Sequence, residues 1–426
     1  MKPFDPNNVE VELKGYLDCD AELVAIAREF KILALIEWPK VVQDEFLTSY
    51  SQGQPKIPVI DYPKYDHAEP LAKLEKIIKA TDTKHPVAQY LNQTAKSYFS
   101  AHKLVENLSK PEMLQHSLDL YGRPGDKIAG TQFTSIDAAN FFIETAAQFS
   151  EYFSLENEEI CILADTIKDQ LDGAIKKVIT DDKVDVFIDE TLVPKAAAGV
   201  SRVRLRSGTC FSPFDFKQLL EHEVFVHTLT ALNGKHQKYL QTLSLGSPRT
   251  TAVQEGLATF AELVTASIDL NRLKRIALRV LAVDMALNGA NFIEVFEYFL
   301  NNGQNKIESY SSTQRIFRAG DPKGKIVFTK DCVYLDGLLH THSFFRWAMK
   351  NQKLHLSQVM FSGRLTFDDA EMLAPFMECG LILQPKYLPP WLSQVPVLGG
   401  YLAFSLFANK ISVSHLNKTF GATDTP

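Results

Sequence analysis

Apolar residues recur at three- and four-residue spacing over most of the chain, the pattern of helices with one buried face. Leu23, Ile26, Phe30, Ile32 and Leu35 mark a helix over residues 21–46, and similar periodicity predicts helices over 70–80, 86–107, 135–151 and 156–179. A Pro- and Gly-rich connector over 53–63 is unsuited to regular structure, and Tyr121-Gly-Arg-Pro-Gly125 is a turn signal that places a boundary near 125. Two short stretches carry strand-like patterning instead: Val184-Asp-Val-Phe-Ile-Asp189 and Arg202-Val-Arg-Leu-Arg206. In the second, Arg202, Arg204 and Arg206 share one face and Val203 and Leu205 the other. That basic face reads equally as the wet side of an edge strand or as the wall of a cleft. Helical patterns resume over 212–234, 251–266, 269–288, 290–301 and 332–350, with a basic loop over 315–330. The expected class is α+β: predominantly helical, with a small sheet beside the 212–234 helix. The expected organisation is a helical N-terminal region over 1–125, a central domain over 126–385, and a C-terminal segment over 386–426 packed on it.

The 212–234 stretch carries its own helix signals. Ser212, Pro213 and Asp215 form a capping start, and Asn233-Gly234 offers a left-handed end. Leu219, Leu220, Val224, Val226, Leu229 and Leu232 give apolar surface around most of its circumference. His222, Glu223 and His227 sit inside that apolar setting, where a metal ion would account for them. The familiar zinc-protease helix reads H-E-x-x-H, with histidines four apart on one face. Here the pattern is H-E-x-x-x-H, and five α-helical steps leave the rings roughly 140° apart. One i→i+5 turn between Val224 and His227 would restore convergence, so a π-bulge is predicted there. The alternative is two unrelated histidines on an ordinary helix.

A second capped helix supplies a partner. Thr251-Ala-Val-Gln254 reads as a capping box, which puts Glu255 near the first turn, where the helix dipole favours a carboxylate. Gly256 inside this helix costs about 1 kcal/mol relative to Ala, so it is expected to serve a close approach. A catalytic zinc ion takes three protein ligands and leaves a fourth position open. His222, His227 and Glu255 are the candidate ligands. Glu223 is the candidate base, taking a proton from metal-bound water and passing it to the leaving amine. Glu262, two turns beyond Glu255, could orient a ligand histidine, or be a surface glutamate.

Composition narrows the classes. The chain has 426 residues, 45% hydrophobic and 23% charged, with a formal net charge of −6. That balance suits a globular protein and argues against nucleic acid or an anionic membrane as partner. The N-terminus lacks an apolar leader, and the apolar run 395–407 is shorter than a membrane span and broken by Pro396, Gly399 and Gly400. It reads as a buried C-terminal segment. Cys19, Cys161, Cys210, Cys332 and Cys379 are far apart and odd in number, as expected of reduced thiols in a cytoplasmic protein.

Gln254-Glu-Gly-Leu-Ala258 with the upstream His222-Glu-x-x-x-His227 resembles the QEGLA-motif family. Its bacterial members are described as flavohemoglobin expression-modulating proteins, and its eukaryotic relatives include microtubule-associated tyrosine carboxypeptidases. The similarity covers about residues 202–347, including Thr329-Lys-Asp-Cys-Val-Tyr-Leu-Asp-Gly337. The Gln-Glu-Gly-Leu-Ala stretch is also similar to the second motif of gluzincin aminopeptidases. The resemblance implies a zincin-like metallopeptidase, with one Zn2+ on His222, His227 and Glu255 and with Glu223 as base. A carboxypeptidase, acting on the C-terminal tail of a peptide or protein, is the expected form. Such an enzyme needs a cation for the terminal carboxylate, and the candidates are Arg204, Arg206, Arg315, Arg318 and Lys330, the 315–330 loop being preferred. Tyr334 is a candidate donor to the developing oxyanion. The rival expectation is a regulatory or binding protein whose zinc is structural. Substrate identity and oligomeric state stay open.

Overall fold

The computed structural model describes residues 9–152, 161–190, 192 and 195–410. The helix expected over 21–46 is three helices, Lys14–Glu29, Ile32–Leu35 and Lys40–Ser51. Phe30 breaks the first by turning extended and stacking on His102 with ring centroids 3.8 Å apart. Pro39 forces the second break, since the residue before a proline avoids helical geometry. Helices Ala68–Ala80 and Pro86–Glu106 follow where the periodicity places them. Pro111–Tyr121 adds another, closed by Gly122 at φ 80° in the turn signal.

Ser135–Tyr152 is helical, and the next helix is Ala164–Val178. The helix expected from 156 therefore starts late. Residues 156–160 lie outside the described residues, and Ile162 pairs with Phe211 as an isolated antiparallel bridge. Beside that bridge Cys161 and Cys210 form a disulfide, which corrects the expectation that all five cysteines are reduced. Cys19, Cys332 and Cys379 are free thiols.

The sheet has three strands, β1 (Asp185–Asp189), β2 (Ala196–Ala198) and β3 (Arg202–Arg206), in the order β1-β3-β2. β3 pairs parallel with β1, Asp185 opposite Arg202, and antiparallel with β2, Ala196 opposite Leu205. β3 is thus central, not an edge. Val203 and Leu205 face the core and are fully buried. β2 went unpredicted because three alanines carry no period. The sheet adjoins the 212–234 stretch: Thr228 Oγ1 donates to the Gly199 carbonyl at 3.1 Å.

The main buried cluster draws side chains from Leu13 to Leu402, so residues from all parts of the described chain share one interior. A second, aromatic cluster joins Trp38 and Phe46 to Phe292, Phe296, Phe299, Tyr310 and Phe317. The apolar 395–407 run forms helix Val395–Ala408, of which Leu398 and Leu402 are buried. Val397, Phe404 and Phe407 stand in solvent, so the segment is buried on one side only, contrary to expectation. Among the described residues no helix is long and apolar enough to cross a membrane.

Candidate metal centre

The stretch bearing the histidines begins as α-helix Asp215–Leu219, widens to a π-helix over Leu220–Thr228, and returns to α-helix over Leu229–Lys235. The predicted widening is present, but it spans nine residues and starts before His222. In π geometry, residues five apart lie one turn apart on one face. His222 and His227 accordingly meet, ring centroids 4.9 Å apart and planes at 84°. At the start the N-cap is Phe214 and not the expected Ser212, which keeps only half of the box: its amide donates to Asp215 Oδ2 at 2.8 Å, and Lys195 pairs with the same oxygen at 2.9 Å. The end differs from expectation. Gly234 is helical and does not cap, and its reason is space, since a Cβ there would lie 2.3 Å from the Leu243 carbonyl oxygen. Asn233 is buried beside it and donates to the carbonyls of Phe361 and Tyr387, both at 2.8 Å.

Helix Thr251–Val264 brings the third group. Its cap is Thr250, and Gln254 accepts from Thr230 Oγ1 at 2.9 Å instead of closing a box. Glu255 is therefore just past the first turn. Gly256 serves the expected close approach: a Cβ there would sit 2.2 Å from the Gly337 carbonyl oxygen of helix Val333–Lys350. That contact sets Lys330 and Tyr334 beside the cluster.

Glu255 Oε2 lies 3.4 Å from His222 Nε2 and 3.6 Å from His227 Nε2. Among the described residues this is the grouping of His, Cys, Asp and Glu able to hold a metal, its ligand atoms within 4.8 Å of one another. Two imidazole nitrogens and one carboxylate oxygen suit zinc. The back of His222 supports the fit. Its Nδ1 bonds Glu262 Oε1 at 2.7 Å, and Arg272 grips both oxygens of Glu262 at 3.2 and 3.1 Å. Glu262 is fully buried and not the surface glutamate of the alternative reading. Burial opposes its ionisation, but Arg272 and His222 outweigh burial and bring it to about 2. Burial likewise opposes charge on His222, yet bonds to Glu255 and Glu262 raise it to about 10. Glu255 is held well below the ordinary carboxylate range because Lys330 and the two histidines overcome its burial. Glu223 is half-buried and within electrostatic reach of His222.

The other candidates divide. Lys330 Nζ is 3.5 Å from Glu255 Oε1 and 5.6 Å from the Tyr334 ring centre. Tyr334 Oη accepts from Arg315 Nη2 at 3.3 Å, and Arg318 lies in the same charged group. Arg204 and Arg206 sit apart on β3, where they bond Asp189 at 3.2 Å and Thr209 at 2.5 Å. Sequence reasoning missed Arg272, Arg279, Asp331 and Arg364. Arg364 donates to the main-chain carbonyl of His227 at 3.3 Å and lies in the field of Glu255 and Glu223. Asp331 lies in the Thr329–Gly337 stretch of the resemblance without having been singled out, and the three arginines belong to no local motif, so only the helix packing brings them here.

The model of the family described as "Microtubule-associated tyrosine carboxypeptidase" matches residues 44–410, a span containing every residue of this centre. No curated protein matches the chain.

Proposed function

The chain belongs to the microtubule-associated tyrosine carboxypeptidase family, and from that premise we propose that it is a zinc-dependent carboxypeptidase whose metal ligands are His222, His227 and Glu255. The observation that carries this reading is the convergence of those three groups, with His222 backed by the buried Glu262–Arg272 pair. Zinc, when bound, would supply Lewis acidity toward water and the scissile carbonyl. The protein's own groups supply the rest. With Nδ1 donating to Glu262, His222 is fixed in the tautomer that turns its Nε2 lone pair toward the centre. Lys330 steadies the second oxygen of Glu255. Glu223 takes the proton of the attacking water and returns it to the departing amine nitrogen. Arg315 donates to Tyr334 Oη, which leaves the Tyr334 proton free to stabilise negative charge growing on the carbonyl oxygen. Arg315, Arg318 and Lys330 form a basic wall suited to the C-terminal end of a peptide or protein.

Among the described residues three donors converge, which favours catalysis over a structural metal, because a structural zinc is closed by a fourth protein ligand. The test is a mixture of peptides incubated with zinc-loaded and with chelator-stripped protein, the products being read by mass spectrometry. Residues removed from C-termini by the loaded protein alone are the expected result. Equal cleavage after stripping, or shortening from N-termini, contradicts the proposal.

A further inference from the structure

The two histidines of the cluster are supported differently. His222 Nδ1 bonds Glu262, whereas among the described residues no side chain bonds Nδ1 of His227. Ligand histidines are almost always oriented by a bond at that second nitrogen. What holds His227 is its main chain. Its carbonyl oxygen accepts from Arg364 Nη2 at 3.3 Å and from Thr230 Oγ1 at 3.4 Å. The Thr230 hydroxyl is engaged more closely elsewhere, by the Val226 carbonyl at 2.8 Å and Gln254 Oε1 at 2.9 Å. Arg364 is therefore the donor most fully given to His227. The bond falls where π-helix Leu220–Thr228 passes into α-helix, so that carbonyl partners change from five residues on to four. A carbonyl at such a change is the place where an outside donor can set the direction of the chain.

Arg364 reaches that carbonyl from a fixed loop between helices Leu356–Val359 and Phe367–Leu373. The carbonyls of Phe361 and Ser362 accept from Asn233 and Gln237 at 2.8 and 2.9 Å, and the Arg364 amide donates to the Leu243 carbonyl at 2.8 Å. Two glycines make the room. A Cβ on Gly363 would lie 2.7 Å from Leu243 Cβ, and one on Gly246 would lie 2.7 Å from Arg364 Nη1. Tyr98 Oη holds the Gly246 carbonyl at 3.2 Å. Among the described residues no carboxylate bonds the guanidinium, and its Nε is buried without a partner. Burial lowers its pKa against the pull of Tyr98, Glu255 and Glu223. A cation removed from water without a paired carboxylate adds little stability, so stability alone does not account for this one. We propose that Arg364 is a positioning residue: by holding the His227 carbonyl at the end of the π-helix, it fixes the direction of the His227 ring toward His222 and Glu255. This rests on the metal reading above and adds the support that His227 lacks at its ring. Arg364 acts through the main chain and touches neither metal nor substrate.

The test compares Arg364→Met, Arg364→Lys and Gly246→Ala with the native chain. Gly246→Ala keeps the arginine but puts a methyl group where Nη1 lies. The readouts are zinc affinity by chelator competition, the visible absorption of the cobalt-substituted protein, and amide hydrogen exchange of the metal-free protein. Arg364→Met is expected to bind zinc about 10-fold more weakly and to shift the cobalt bands. In the metal-free variant, exchange should quicken at the end of the π-helix but not in helix Thr251–Val264. Gly246→Ala should show the same three changes. Arg364→Lys, which keeps the charge but loses the fork, should recover part of the affinity and of the band position. Unchanged zinc affinity and cobalt bands in both Arg364→Met and Gly246→Ala overturn the assignment. So does a raised KM for peptide with both metal readouts unchanged, which would make Arg364 a substrate contact. A lower melting temperature with native cobalt bands overturns it as well, since a purely structural arginine gives that result. A native chain that binds neither ion overturns the metal reading instead. Exchange in the metal-free variants then decides for Arg364 alone: a rise confined to the end of the π-helix supports its hold on the helix, and unchanged exchange removes it.

Discussion

Glu262 shows how a single residue can decide a site's chemistry without touching a substrate. Its carboxylate is buried because Arg272 and His222 both bond it, and it fixes which nitrogen of His222 faces the centre. Removing such a partner typically weakens metal binding about 10- to 100-fold. Glu262→Ala should do so in a chelator competition assay, and an unchanged zinc affinity would separate Glu262 from the metal. His102 makes a second residue-level case. It is fully buried, stacked on Phe30, with Nδ1 3.0 Å from Nδ1 of His67. Burial and the neighbouring His67 lower its folded pKa from 6.5 to about 4, and burial lowers His67 as well. Between those values the unfolded chain binds the extra proton and the folded chain does not, so stability is full above pH 6.5 and falls toward pH 4. At about 1.4 kcal/mol per unit, the loss from His102 approaches about 3 kcal/mol. Denaturant unfolding across that range should show the slope, and His102→Phe should flatten it. The same slope in the variant would exonerate His102. At this scale the candidate cluster was legible in part because His222, Glu223 and His227 lie close in sequence inside an apolar stretch. Arg272, Arg279 and Arg364 were not, because nothing local distinguishes them from surface arginines.

Among elements, the widened helix and the glycine contact do most to assemble the site. The five-residue spacing of the histidines required a departure from α geometry, and that much could be read from the sequence. Its nine-residue extent could not, since it depends on hydrogen-bond exchange along the whole stretch from Leu220 to Thr228. The caps were less legible than the faces. Gly234 resembled a stop signal but is a packing residue against Leu243, and Gln254 resembled a capping partner but is buried against Thr230. The expected 21–46 helix failed where Phe30 gained more from the aromatic group around His102 than helical periodicity offered. Gly256 and Gly337 let helices Thr251–Val264 and Val333–Lys350 touch backbone to backbone. A methyl group has no room there, so Gly256→Ala should destabilise the fold by about 1–3 kcal/mol or more despite its better helix propensity. Denaturant titration checks this, and a stabilised variant would mean the helices part without penalty.

Over the whole molecule, the helix-rich class and the sheet beside the helix carrying His222 and His227 follow from periodicity, while long-range chemistry does not. Cys161 and Cys210 lie 49 residues apart, and only the Ile162–Phe211 bridge makes them neighbours. That staple ends two residues before Ser212, so it anchors the approach to the helix carrying the histidines. The charge pattern is equally non-local: a chain with net charge −6 gathers Arg272, Arg279, Arg315, Arg318 and Lys330 around one buried region. The family match and this geometry meet in one claim, that His222, His227 and Glu255 hold a zinc ion on which Glu223 acts as base. The most direct measurement is the rate of peptide trimming by Glu223→Gln at a zinc content equal to that of the native protein. The account predicts one zinc per chain in both and at least about a 100-fold loss of rate in the variant, the scale of a missing general base. Trimming at the native rate with zinc in place would contradict it.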